Sequence, residues 1–170
     1  DVTLADGAMV KGGDWAVTAL HTPGHCANHL CFALENASTS RTLFSADHVM
    51  SWSTSVVSPP DGDMAAYMNS LAKLQTRDDD LYLPGHGPPL PNPQPFVAAL
   101  AAHRREREAR VLEELRRARQ ASAEDLVPPV YGAALDARLI PAAARSLTAH
   151  LIKLAAEGAV RREGAVWQAI

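Results

Sequence analysis

The sequence predicts an α/β fold followed by a small, mostly helical module, and three observations carry that reading. Residues 1 to about 92 are short apolar runs bounded by turn residues, broken once by an amphipathic helical stripe. A proline-rich stretch then launches a long helix. The last 50 or so residues read as helices followed by a tight hairpin.

Taken in order, Ala8-Met9-Val10 is a short strand closed by Gly12-Gly13, and Trp15 to Leu20 runs as a strand into the Pro23-Gly24 turn. Leu30 to Leu34 and Thr42 to Ser45 are two more strands, the second stopping at Asp47. Asp61 to Asp63 then cap a helix, in which Met64, Tyr67, Met68, Leu71 and Leu74 follow the i, i+3, i+4, i+7 spacing of a buried face. Leu81-Tyr82-Leu83 is a strand ending at Pro84-Gly85. Six of the 12 prolines fall between Pro84 and Pro95, which marks an irregular linker. Phe96 to Gln120 is predicted as the long helix, with Phe96, Leu100, His103, Val111 and Leu115 on one side. Glu106–Arg110 and Glu113–Arg117 are spaced as i, i+4 pairs, and the arginine-rich face is expected in solvent.

The final part opens on Ser122 with Asp125 three residues on, a capping-box-like pair. A helix over Leu126 to Val130 ends near Gly132, and another starts at Pro141, where the ring is best tolerated. It carries Ala144, Leu147, Leu151 and Leu154 on one stripe and stops before Gly158. Val160 to Arg162 and Ala165 to Gln168 then fold back around Gly164. Helices with a two-stranded hairpin in so short a span describe a winged helix.

The 47% hydrophobic and 21% charged content excludes a disordered or collagen-like chain. Two cysteines, Cys26 and Cys31, make no disulfide framework; each is a small buried hydrophobe or a neighbour of a metal. No apolar run approaches the ~20 residues of a membrane helix and no secretory leader is visible, so the expected location is cytoplasmic, with no membrane partner. The net charge of −3 is uneven: residues 1–95 are net −6, residues 96–120 net +3 and residues 121–170 neutral. Five of the seven histidines lie between His21 and His86, inside the acidic part. Imidazoles among carboxylates point to a cation more readily than to nucleic acid. The chain opens on Asp1 in strand-like sequence, which reads as a piece of a longer or processed protein.

Three segments concentrate the chemistry. His21-Thr22-Pro23-Gly24-His25 presents His25 from a Pro-Gly turn, Ser45-Ala46-Asp47-His48 projects Asp47 from a strand end, and Leu83-Pro84-Gly85-His86-Gly87-Pro88 presents His86 from a second Pro-Gly turn. Each aims a metal-competent side chain from the end of a rigid strand, and imidazole with carboxylate suits zinc while tolerating iron or manganese.

In that order the three segments resemble the second half of a metallo-β-lactamase-fold hydrolase, over residues 1 to about 120. The winged helix behind them resembles the branch typified by β-lactamase-like endoribonucleases and their bacterial relatives. The resemblance implies the C-terminal half of an αββα sandwich over residues 1–120 and a winged-helix domain over 121–170. It implies a two-metal zinc site in which His25 is the third histidine of the first metal, Asp47 bridges both metals and His86 completes the second. His21 is not a ligand in the family, and is expected to pack or hydrogen-bond. His29 and His48 either support ligands, face substrate or simply pack, and the Ser51-Trp52-Ser53 loop is a candidate cleft wall.

Two departures accompany the resemblance. Ala46 stands where the family usually has glycine, at a cost of roughly 1 kcal/mol if the backbone there is left-handed. Cys26 stands where Thr or Ser is common, its side chain expected to point away if the local chain is extended. The family's His-x-His-x-Asp-His motif is absent, leaving three ligands split between two sites, so the chain alone is expected to be inactive and its catalytic residues are not assigned. The implied activity is metal-dependent hydrolysis of an ester, thioester or phosphodiester, with a small-molecule or RNA substrate. A glyoxalase-II-like thioesterase and a winged-helix nucleic-acid-binding or regulatory module are the alternatives. Half a sandwich should also leave an apolar sheet face bare, to be covered by a second copy or a complementing N-terminal half.

Overall fold

The computed structural model describes residues 2–36 and 41–170. Six strands form one sheet in chain order: β1 (Met9–Lys11), β2 (Trp15–His21), β3 (Leu30–Asn36), β4 (Thr42–Ala46), β5 (Leu81–Pro84) and β6 (Leu90–Pro91). Neighbours are antiparallel except β4 and β5, which run parallel across the connection that holds α1 (Met64–Gln75). This α/β architecture, with a winged helix behind it, is the fold class the sequence predicts.

Helix α1 starts where Asp63 accepts a 2.8 Å hydrogen bond from the Ala66 amide, satisfying one free donor of the first turn. Its stripe of Met64, Tyr67, Leu71 and Leu74 packs on Cys31, Ala33, Leu43 and Tyr82 of the sheet. The opposite face carries a row running Ala19, Phe32, Phe44 and Leu83 across β2 to β5. Phe44 there is 39% exposed. Phe32 and Leu83 are half-buried and Ala19 is fully buried, so among the described residues the row is open chiefly at Phe44 rather than bare along its length.

Helix α2 (Pro93–Ala118) joins two cores. Val97, Leu100 and Ala101 close the sheet core, whereas Val111 and Leu115 enter a second one with Leu126, Leu147, Leu151, Leu154 and Trp167. The helix begins three residues earlier than predicted because prolines at 93 and 95 fit its first turn, where no backbone donor is lost. It stops at Ala118, so that Gln120–Ala121 form β7. This strand pairs with β9 (Val166–Ala169), which pairs with β8 (Val160–Glu163), giving the wing a third strand. Between them lie α3 (Val127–Tyr131) and α4 (Ile140–Ala156). Ser122 and Asp125 cap each other reciprocally, at 3.0 and 3.1 Å.

Two expectations about the arginine face are corrected. Arg110 donates to the Pro129 carbonyl at 2.8 Å instead of pairing with Glu106, because the winged helix packs against that face. Arg104 is only 5% exposed, its guanidinium held by the Ser55 carbonyl and over the Tyr67 ring rather than extended into solvent. The Glu113–Arg117 ion pair forms as spaced.

Candidate metal centre

The parallel pairing of β4 with β5 places two of the three candidate ligands side by side. Ala46 is registered with Pro84, and the Gly85 amide donates to the Ala46 carbonyl at 2.9 Å, so Asp47 and His86 leave adjacent strand ends. A Cβ at Gly85 would lie 2.7 Å from Asp47 Oδ1, so any side chain there would displace the carboxylate. Ala46 has φ 45°, the left-handed conformation that makes alanine the strained choice at this position.

The third candidate comes from the turn after β2. Gly24 lies so close to α1 that a Cβ would fall 2.3 Å from the Tyr67 Cα. The Asp63 amide donates to the Gly24 carbonyl at 3.0 Å and the Ser70 hydroxyl to the Pro23 carbonyl at 2.8 Å. The turn is thus clamped onto the helix, and His25 is presented beside Asp47.

The three side chains meet around one carboxylate. His25 Nε2 lies 3.8 Å from Asp47 Oδ2, and His86 Nε2 lies 3.8 Å from Asp47 Oδ1. Both gaps are too long for hydrogen bonds, yet no wider than two zinc–ligand bonds of roughly 2 Å each. His25 Nδ1 donates to the Val56 carbonyl at 2.7 Å, which assigns the proton to that nitrogen and leaves the Nε2 lone pair facing the carboxylate. A lone pair opposite a carboxylate oxygen repels it unless a cation lies between. Each Asp47 oxygen faces a different imidazole, so the donors fit one carboxylate shared by two cations. Among the described residues no three His, Cys, Asp or Glu side chains converge on a single point.

The surrounding histidines divide by role. His21 Nε2 hydrogen-bonds the Ala27 carbonyl at 2.9 Å. His29 is buried and shares a 2.9 Å hydrogen bond with Thr22 Oγ1; burial, then the neighbouring His25, hold it below its usual range. His48 is fully buried with no partner on either ring nitrogen, wedged 4.6 Å from the Tyr67 ring and 5.7 Å from His29. Burial pushes it down to about 3, so its ring is neutral and closed off from solvent. Cys31 is a buried hydrophobe whose thiol burial pushes up to about 11. Cys26 lies in a turn rather than an extended segment, and burial, Asp61 and Asp47 raise its thiol above the usual value. Beside His86, Ser51 Oγ donates to the Pro88 carbonyl at 2.6 Å and the 70%-exposed Trp52 lies against Gly87.

Sequence reasoning missed the groups that hold the Ser53–Val56 loop. The Val56 carbonyl that orients His25 is a backbone atom with no side-chain signature. Arg104, which donates through Nη2 to the Ser55 carbonyl with its guanidinium 5.4 Å from the Tyr67 ring centroid, did have one. It falls seven residues after Val97 and four after Leu100, on the helix face that is buried.

Residues 1–86 match the Metallo-beta-lactamase superfamily, and residues 122–167 match the Beta-lactamase associated winged helix domain. The chain is 32% identical over 151 residues to an atrochrysone carboxyl ACP thioesterase of Passalora fulva, covering 85% of this chain and 44% of that protein. It is 33% identical over 147 residues to the beta-lactamase-like protein 2 homolog of Drosophila melanogaster, covering 85% and 47%. A crystal structure of a beta-lactamase domain protein from Burkholderia ambifaria superposes with a TM-score of 0.86 at 28% identity, over 98% of this chain and 52% of that one. The chain spans about half the length of the curated relatives it matches.

Proposed function

Because the chain belongs to the metallo-β-lactamase superfamily, we propose that it is the C-terminal portion of a metal-dependent thioester hydrolase. The observation that carries the reading is Asp47 placed between His25 and His86 with one oxygen toward each imidazole. A pair of divalent cations bound there would supply Lewis acidity to the acyl oxygen and make water a better nucleophile at neutral pH. Asp47, with one oxygen toward each imidazole, would be the ligand that the two cations share. The Val56 carbonyl fixes the His25 tautomer, and the Ser51–Trp52 loop forms a wall beside His86. Zinc suits these donors, with iron or manganese compatible. Any further ligands would have to come from outside the three side chains named here.

Thioesters are favoured over phosphodiesters on two grounds. The Passalora fulva relative is named a carrier-protein thioesterase, and a match over 85% of this chain cannot leave out the whole winged helix. In the winged helix, Lys153 pairs with Glu108 and Glu157, and Arg161 with Glu163, which neutralises cations a nucleic-acid surface would need free.

The test is elemental metal analysis and hydrolysis of a carrier-borne aryl thioester. Both are run on the chain alone and on the chain co-expressed with the segment that completes its relatives. Near-stoichiometric metal and thioester cleavage in the completed protein, both lost in Asp47→Asn and His86→Ala, are expected. Metal binding unaffected by both substitutions, or cleavage of RNA in preference to thioester, would overturn the proposal.

A further inference from the structure

The Ser53–Val56 loop that orients His25 also forms one wall of a cleft of about 530 Å³, closed by the middle of α2 and by the winged helix. One side of the cleft carries the cations Arg104 and Arg107 together with the His103 ring; the other is formed by Tyr131, Leu139 and Ala143. Arg104 is nine-tenths buried and its Nε has no partner. Arg107 stacks 4.1 Å from the Tyr131 ring centroid and donates to the Val130 carbonyl at 3.2 Å. His103 Nδ1 is buried without a partner. Among the described residues neither guanidinium forms an ion pair. Of the acids nearby on the same helix, Glu106 is exposed and outside the lining, and Glu108 is paired with His150 and Lys153 of α4.

A buried guanidinium normally has a carboxylate beside it, because an uncompensated charge in a desolvated site is costly. One buried guanidinium, a half-buried one stacked on Tyr131, an unpartnered ring nitrogen and an apolar wall opposite describe a receptor for a ligand with one anionic group and an aliphatic portion. Planar guanidinium pairs read phosphate oxygens well. The shared loop connects this receptor to the Asp47 centre. We propose that the cleft binds the 4′-phosphopantetheine arm of a carrier-borne or coenzyme A thioester. In it, Arg104 and Arg107 hold the phosphate, and Leu139, Ala143 and Tyr131 pack on the gem-dimethyl segment. The assignment of the arm rests on the thioester reading above.

Calorimetric titration of the full chain tests it, with 4′-phosphopantetheine, pantetheine, coenzyme A, a holo-carrier protein, inorganic phosphate and a short single-stranded RNA as probes. Phosphopantetheine is expected to bind at least about tenfold tighter than pantetheine, the size of one good charge-assisted contact. Arg107→Met should erase that preference with an unchanged circular dichroism spectrum, and Arg107→Lys should keep part of it. Coenzyme A equal to the carrier protein, or weaker than it, supports the site either way and names its source. Equal affinity for the two pantetheines overturns the proposal, as does phosphate alone binding as tightly as the arm, or RNA displacing it. Binding does not depend on turnover, so an Arg107-dependent arm site in a protein that cleaves no thioester would sink the hydrolase reading and leave this one standing.

Discussion

Val56 and His25 are joined by a 2.7 Å hydrogen bond from the imidazole Nδ1 to the backbone carbonyl, and this bond decides which nitrogen the centre can use. It presents Nε2 to Asp47 and hands the aim of the ring to a loop. That loop is itself tied down by Arg104 through the Ser55 carbonyl and by Ser55 Oγ donating to the His48 carbonyl at 2.8 Å. Groups that orient a metal-binding imidazole typically matter by 10- to 100-fold in affinity. Arg104→Met should therefore weaken zinc binding by about tenfold or more while the far-ultraviolet spectrum is unchanged. Competition with a chromogenic chelator measures this, and an unaltered affinity would show that the loop does not aim His25.

The backbone at Ala46 gives a second prediction, on stability. With φ 45°, alanine pays roughly 1–2 kcal/mol of left-handed strain, offset in part by the ~0.5–1 kcal/mol that glycine loses in chain entropy. Ala46→Gly is expected to stabilise the chain by up to about 1 kcal/mol, read as a higher urea midpoint with an unchanged slope. A lower midpoint would mean that the Ala46 methyl contributes packing that exceeds its strain.

How much of this was legible beforehand differs by residue. His25, Asp47 and His86 announce themselves because each ends an apolar run at a turn, and strand ends aim side chains by covalent geometry. Their convergence on one carboxylate was not legible from spacing, since it depends on β4 and β5 pairing in parallel and on Gly24 lying against α1. Helix α2 shows the opposite failure: its charge pattern suggested a solvated face. Two cores packing on one 26-residue helix bury Arg104 and redirect Arg110 to a carbonyl. Charge spacing reports local pairing only, and tertiary contacts override it at a domain junction.

That junction also sets a pH dependence. His150 on α4 is buried with Nδ1 3.3 Å from Glu108 on α2, and Lys153 Nζ is 2.7 Å from the other Glu108 oxygen. Burial holds His150 below its usual range against the pull of Glu108, with Arg104 and Lys153 adding repulsion. Burial opposes charge on Glu108, but hydrogen bonds from His150 and Lys153 outweigh it and keep that carboxyl below its usual value. Both folded values lie below the unfolded ones, so the unfolded chain binds more protons as pH falls. Their contribution is complete above about pH 6.5 for the imidazole and about 4.3 for the carboxylate, and is lost below those values. Lys153, raised in the fold, acts in the other direction only near pH 10 and above. The urea midpoint should fall as pH drops below about 6.5, and His150→Gln should flatten that first part of the fall. The slope does not vanish, because His29, His48 and His103 share the sign. An unchanged slope in His150→Gln would remove the junction from the account.

The apolar row Ala19, Phe32, Phe44, Leu83 gives the last prediction. Paired strands place these residues on one face, and Trp15, 41% exposed, lies on that same face of β2. Apolar surface removed from water is worth about 25 cal/mol per Å², so a sheet face of this kind drives association unless something covers it. In isolation the chain is expected to pair with a second copy or to aggregate, with the mass seen by light scattering rising with concentration. Phe44→Lys puts a charge in the middle of the row, at a position open enough to keep the strand, and should return a monomer. Co-expression with the segment that completes its relatives should do the same without mutation, by covering the row. A wild-type chain that stays monomeric across the concentration series would show that the face needs no partner.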